Sequence, residues 1–379
     1  MSPRPIKDTR PPLWRRPLFV VLAIVLVVVI VGGTAILVSG SGGSNGTTPG
    51  GFALTATIDN ALVGSVACWS PSSCVAVGSV GNEGEIWFLT AGKVVSSNAV
   101  TGTVRLVSVA CAGGAHCVAG GRGVGSIEVG SSVPSVGAIV AIDNGAIGSA
   151  ARVGSVQVVT GVACWSATGC AATANATTTA SAIVLLSSGL VIAVRPVSAS
   201  SGTFESIACG APSVCEIASF LNPQSAKSAG VLVSLDNGQV GKPEPVAHAY
   251  GMLGIACATS THCVGVGLMR TKAPSDFEGV FVYVTSGHPG VVATVANTGD
   301  FFSVSCLPSR CEAVGAEAND KGGVGTAITG NAAGNVLEAG STSLFSGVAC
   351  PTADSCVVVG HAGANSVVEK IDPSGAASA

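Results

Sequence analysis

Fourteen cysteines fall into seven pairs of short, nearly constant spacing, and no other feature of the sequence restricts the fold as tightly. Each first cysteine ends a common motif. The copies are Ser65-Val66-Ala67-Cys68, Ser108-Val109-Ala110-Cys111, Gly161-Val162-Ala163-Cys164, Ser206-Ile207-Ala208-Cys209, Gly254-Ile255-Ala256-Cys257, Ser303-Val304-Ser305-Cys306 and Gly347-Val348-Ala349-Cys350. Two residues before each Ser or Gly stands an apolar one: Val63, Leu106, Val159, Phe204, Met252, Phe301 or Phe345. The second cysteines are Cys74, Cys117, Cys170, Cys215, Cys263, Cys311 and Cys356. Successive copies begin 43 to 53 residues apart, the period of a propeller blade or a solenoid turn.

Each copy reads as four short strands. The motif itself alternates small and β-branched residues at period two. A second run opens at the other cysteine, as in Cys74-Val75-Ala76-Val77-Gly78. A third, such as Ile86-Trp87-Phe88-Leu89, ends at a Gly-bearing turn, and a fourth returns. The turns Asp143-Asn144-Gly145 and Asp236-Asn237-Gly238 supply residues that tolerate the positive φ of a tight hairpin. Seven four-stranded units predict an all-β fold, a seven-bladed β-propeller over residues 52–379. Within each repeat the cysteine pair would close the hairpin between first and second strands. The alternative is metal, but zinc needs four converging ligands and a repeat supplies two cysteines. Disulfides, no metal and no cofactor are the expectation.

The last repeat supplies only three runs before Ala379, whereas an unassigned run, Phe52 to Ile58, precedes the first. The sequence therefore predicts that residues 52–58 complete the last blade and leave no open edge.

Ahead of the repeats, residues 1–17 are proline-punctuated and carry Arg4, Lys7, Arg10, Arg15 and Arg16 against Asp8. Residues 18–38 then run without a charge, long enough as a helix to span about 31 Å of bilayer. The basic flank places the N-terminus in the cytoplasm. With no A-x-A cleavage site behind it, the run reads as an uncleaved signal-anchor, a single-pass transmembrane helix of the cell membrane. Residues 39–51 form a Gly/Ser-rich tether. Everything beyond it is expected outside the cytoplasm, where disulfides persist. The net charge of −3 gives no polycationic face for nucleic acid.

The Cys-paired repeat with a D-x-G-type turn between third and fourth strands resembles the sialidase-like (Asp-box) propellers, most of all secreted bacterial proteins with V-A-C-P-S-x-x-C-x-A-V-G repeats. Only Asp143-Asn144-Gly145 and Asp236-Asn237-Gly238 keep the middle of an Asp-box, and no WD dipeptide points to the WD40 class. Sialidase-type catalysis would need an arginine clamp, a tyrosine with a glutamate, and an acid. The exterior offers Tyr250 and Tyr283, the arginines Arg105, Arg122, Arg152, Arg195, Arg270 and Arg310, and two acids, Glu216 and Glu312, directly after second-strand cysteines. No three arginines occupy equivalent repeat positions. His116 and His262 precede second cysteines at a variable turn position, and His248, His288 and His361 stand isolated.

A membrane-anchored, extracytoplasmic binding or scaffolding module without enzymatic activity is therefore expected, the alternative being a glycan hydrolase or lyase. Its partner would be a protein or a glycan outside the cell membrane. The connections between second and third strands vary in length, with long ones at Arg122–Pro134, Ala174–Ala180, Leu221–Ser228, Met269–Glu278 and Ala316–Gly323. Charge gathers there, and Phe277 adds an aromatic. The candidate ligand-binding residues are Arg122, Arg270, Lys272 and Phe277, centred on the Met269–Glu278 connection.

Overall fold

The computed structural model describes residues 51–125, 135–176, 180–197, 202–221, 228–271, 276–318, 322–340 and 342–371. The expected membrane helix at 18–38 and the tail before it lie outside the described residues. Within the described residues, no helix is long and apolar enough to cross a membrane.

Seven antiparallel sheets follow one another along the chain. Blade 1 is Ala61–Cys68, Ser73–Val80, Glu83–Thr90 and Lys93–Val100, each strand paired with the next. The first strands of blades 2 to 7 are Thr103–Ala112, Val158–Cys164, Thr203–Ala211, Gly251–Thr259, Thr298–Leu307 and Leu344–Thr352. Each touches the first strand of the blades on either side, and blade 7 touches blade 1, so the ring is closed. Seven clusters of buried apolar side chains occupy the seven seams between neighbouring blades. The core is thus a circle of seams rather than one central mass.

The motif positions explain that arrangement. The leading apolar residue (Val63, Leu106, Val159, Phe204, Met252, Phe301, Phe345) is fully buried in every blade. The Val or Ile three residues later is buried as well. Between them, the register slips by one residue in all seven blades, leaving Gly64, Val107, Thr160, Glu205, Leu253, Phe302 or Ser346 as a β-bulge. The slip lets two residues three apart face the same seam. The Ser-or-Gly position meets the next blade. Ser65 accepts the Val109 N–H at 3.4 Å, Ser108 the Val162 N–H at 3.0 Å, and Ser303 the Val348 N–H at 3.3 Å.

Every expected disulfide is present, and among the described residues no cysteine is free. The third-to-fourth turn folds back onto the Cys-closed turn. The N–H groups of Ala91, Asn144, Ser188, Asn237 and Ser286 donate to Ser72, Ala115, Thr168, Ser213 and Thr261 carbonyls. These five residues have positive φ, as does the Gly after each, giving tight hairpins whose hand matches strand twist. In blades 2, 4 and 6 the fourth strand is broken into two short pieces, both paired with the third; the sequence reading treated it as continuous.

The strand Phe52–Ile58 pairs antiparallel with Asn365–Ile371, Phe52 opposite Ile371 and Ile58 opposite Ser366. The missing strand of the last blade therefore comes from the start of the propeller, as the sequence indicates. An edge does remain: Phe52–Ile58 becomes the outermost strand of its blade, as Lys93–Val100 is in blade 1.

Candidate functional site

Within a blade the chain reverses between adjacent strands, so the first-to-second and third-to-fourth turns share one face of the ring. The second-to-third and fourth-to-first connections share the other. Parts of the long connections (126–134, 177–179, 222–227, 272–275 and 319–321) lie outside the described residues. What is described on that second face includes an aromatic cluster at the seam of blades 4 and 5.

Arg270 ends the strand His262–Arg270 and Phe277 opens Phe277–Thr285; they are register partners. Both were read as loop residues and prove to be strand ends, which holds their side chains on one face. Tyr250 precedes the first strand of blade 5, its N–H donating to Leu268 and its carbonyl accepting from the Ser228 hydroxyl at 3.0 Å. Phe220, at the end of the second strand of blade 4, lies against Gly251: a Cβ there would fall 1.9 Å from the ring. Only glycine admits that ring. Tyr250 meets Phe220 edge-on at 6.0 Å and Phe277 at 5.3 Å between centroids. The Arg270 guanidinium carbon sits 4.5 Å from the Tyr250 centroid and 5.9 Å from that of Phe277. Such stacking is worth roughly 0.5–1 kcal/mol at exposed sites. The Arg270 Nε is buried without a hydrogen-bond partner. The two rings hold the guanidinium in place, and a guanidinium so held can offer its N–H fork to a carboxylate or hydroxyl of a ligand.

Of the four candidates, the structure brings together Arg270 and Phe277. Arg122 lies in blade 2, exposed, opposite Arg105. Lys272 falls outside the described residues. Tyr250 and Phe220 were missed as members of the cluster. The signal was available for Phe220, which stands five residues after its second cysteine, as Arg122 does after its own.

The seven bulge residues form an inner ring where first strands meet. A Cβ on Gly64 would lie 3.2 Å from the Val107 carbonyl oxygen, and the Ser346 hydroxyl donates to the Val63 carbonyl at 2.8 Å. Glu205 is the one ionisable side chain in this ring. Burial pushes its carboxyl up to about 7, with a hydrogen bond from Thr203 working against the shift. Its side chain is partly exposed, so the carboxyl is not wholly sealed from water.

The two acids after second-strand cysteines, Glu216 and Glu312, are buried between blades. Glu312, raised to about 7 by burial, takes a hydrogen bond from Arg310 at 3.0 Å. Glu216, also raised by burial, accepts from the Ser234 hydroxyl at 3.0 Å. Among the described residues neither Tyr250 nor Tyr283 hydrogen-bonds a glutamate, and Arg195 and Arg310 are occupied by the Gly238 carbonyl and Glu312. No group of three His, Cys, Asp or Glu side chains is placed to hold a metal among the described residues.

No protein-family model matches the chain, and no curated protein matches it in sequence. Solved structures do match in shape. The WD40 β-propeller domain of Doa1 superposes with a TM-score of 0.60 at 13% identity, over 87% of this chain and 100% of that one. Kuenenia stuttgartiensis hydrazine synthase gives 0.60 at 10% identity, over 86% and 98%. YCF48 bound to D1 peptide gives 0.52 at 12%, over 86% and 97%. WD40 propellers are thus among the fold's neighbours despite the missing WD dipeptide, and at these identities the likeness establishes the fold alone.

Proposed function

We propose that this chain is a membrane-anchored, extracytoplasmic propeller that captures a protein or glycan partner on the face carrying the second-to-third connections. Residues 18–38 supply the anchor and Arg270 with Tyr250 and Phe277 the centre of the docking surface. The observation that carries the reading is the Arg270 stack. An arginine held over aromatic rings, with no acid paired to it among the described residues, has its donors positioned but not spent. The opposite face, by contrast, satisfies itself through disulfides and turn-to-turn hydrogen bonds. A propeller neighbour solved with a bound peptide supports a binding role for such a fold. The hydrolase alternative loses support because, among the described residues, neither tyrosine hydrogen-bonds a glutamate and Arg310 is engaged by Glu312.

Crosslinking intact cells with a membrane-impermeant reagent, followed by mass spectrometry, identifies the partner and tests exposure outside the membrane together. Replacing Arg270, Lys272 and Phe277 by alanine should then weaken partner binding by about tenfold or more, as loss of an arginine–aromatic anchor does. Tm should fall by no more than about 2–3 °C, since the cost is one exposed stack. Binding that survives this change but is lost on altering the Cys-closed turns assigns the work to the other face.

A further inference from the structure

The first and second strands of blade 2 set two arginines against each other. Arg105, one residue before the buried Leu106, is the register partner of Arg122 on His116–Gly123. Like charges directly opposite on neighbouring strands repel, with Cβ atoms about 4.5–5.5 Å apart, and a sheet gains nothing from placing them so. The same pair of positions in the other blades holds Leu62 and Ser79, Val158 and Asn175, Thr203 and Phe220, Gly251 and Leu268, Asp300 and Ala316, or Leu344 and His361. Blade 2 alone has two arginines there.

Nothing described neutralises them. Among the described residues, neither Arg105 nor Arg122 makes an ion pair with a carboxylate, and the Arg105 Nε is buried without an acceptor. Burial, then the charge of Arg122, pushes the Arg105 guanidinium below its ordinary value. His361 of blade 7 lies within reach of the same charge: burial and then Arg105 hold its imidazole down to about 4. So the charge of Arg105 is felt in blade 7, across blade 1, where first strands enter the ring. Arg122 itself is exposed and open to solvent.

We propose that Arg105 and Arg122 form a receptor for one oxyanion, a carboxylate or a phosphate group, at the connection-bearing end of the inner ring. Two guanidinium forks on adjacent strands present several N–H donors to one group, the arrangement that favours planar or tetrahedral oxyanions over halide. The anion replaces the missing acceptor and turns a repulsive pair into a bridged one. This site is in blade 2 and the Arg270 stack in blade 5, so the inference stands whether or not that stack binds a partner.

The test is a titration of the full chain, at constant ionic strength, with inorganic phosphate and separately with succinate, read by calorimetry and by Tm. Chloride at matched strength is the control. Saturable binding of at least one oxyanion in the millimolar range is expected, with a rise in Tm that chloride does not give. Saturation by phosphate alone, or by succinate alone, assigns the site to phosphate or to carboxylate chemistry. Arg122→Gln should weaken binding about tenfold or more, since it removes charge-assisted hydrogen bonds from an exposed position. In anion-free buffer the same variant should melt at or above the parent, because it removes repulsion. No saturable binding of either oxyanion, or binding that Arg122→Gln leaves intact, overturns the proposal.

Discussion

Serine and glycine share one position of the repeat because the backbone of the next blade passes directly against it. Where the residue is Ser65, Ser108 or Ser303, its hydroxyl accepts a backbone N–H across the seam. Where it is Gly347, a Cβ would lie 3.1 Å from the Ser65 Cα, so the chains approach without a side chain between them. One residue earlier, the bulge position is chemically free, and in blade 4 it holds Glu205. The folded state holds a proton there up to a pH of about 7, whereas the unfolded chain releases it near 4.5. Between those values the folded state binds more protons, so this residue's contribution to stability falls as pH rises from 4.5 to 7. Glu205→Gln removes that cost. Its stability gain over the parent should be near zero at pH 4 and grow to at most about 3 kcal/mol at pH 8. Denaturant melts of both proteins across this range check it, and a difference independent of pH refutes it. Glu312 has the same sign, while His361 loses stability as pH falls from 6.5 towards 4; both cancel in the difference. Arg270 and Phe277 were legible in the sequence because they bound a connection that the repeat defines. The roles of Tyr250, Glu205 and the Arg105–Arg122 pair were not, because each depends on a strand register or a seam that spacing alone does not reveal.

At the scale of a strand pair, the cysteine spacing carried the most information. In six blades the two cysteines sit opposite each other as register partners, the positions a hairpin bridge needs. Closing so short a loop is worth roughly 2 kcal/mol per bridge in the chain-entropy account. Replacing Cys68 and Cys74 together by serine should therefore lower Tm by a few degrees without loss of the fold, since six other bridges remain. Thermal melts measure the shift. Peptide mapping without reductant should find only intra-repeat bridges in the parent, and a bridge between repeats contradicts the hairpin pairing. The third-to-fourth turns are a lesson in the opposite direction. Asp-Asn-Gly was read as the remnant of an Asp-box, yet Ala91-Gly92, Ser188-Gly189 and Ser286-Gly287 adopt the same pair of positive φ values. Hairpin geometry explains every one of them, so the aspartates carry little family information. The breaks in the fourth strands of blades 2, 4 and 6 were not legible: the pieces are only two or three residues long, and their pairing depends on the third strand alone.

For the whole ring, stability depends on how its ends meet. The seam between blades 7 and 1 is as well packed as the others, with Ala61, Val63, Val66 and Trp87 against Val357, Val359 and Val368. Ser366 ties it further, accepting the Val63 N–H at 3.0 Å and donating to the Ala61 carbonyl at 2.8 Å. The strand Phe52–Ile58 adds a second tie. It pairs along Asn365–Ile371, and the Phe52 ring lies 4.5 Å from that of Phe345 in the neighbouring seam. A ring closed by strand pairing rather than by a covalent link opens first at that pairing, because its failure exposes an edge while leaving every other blade whole. Deleting residues 52–58 should accordingly lower Tm by more than the Cys68/Cys74 change does, and should speed proteolysis within the last blade. A second variant separates lost closure from lost packing. Since Phe52 and Ile371 are opposite one another, a short Gly-rich linker can join them as a hairpin, with new termini opened at the exposed turn around Gly81 and Asn82. That circular permutant keeps every strand and makes the last blade continuous. It should resist proteolysis in the last blade better than the parent, and become vulnerable in blade 1 instead. If the last blade remains the first to be cut, closure by Phe52–Ile58 is not what limits the ring.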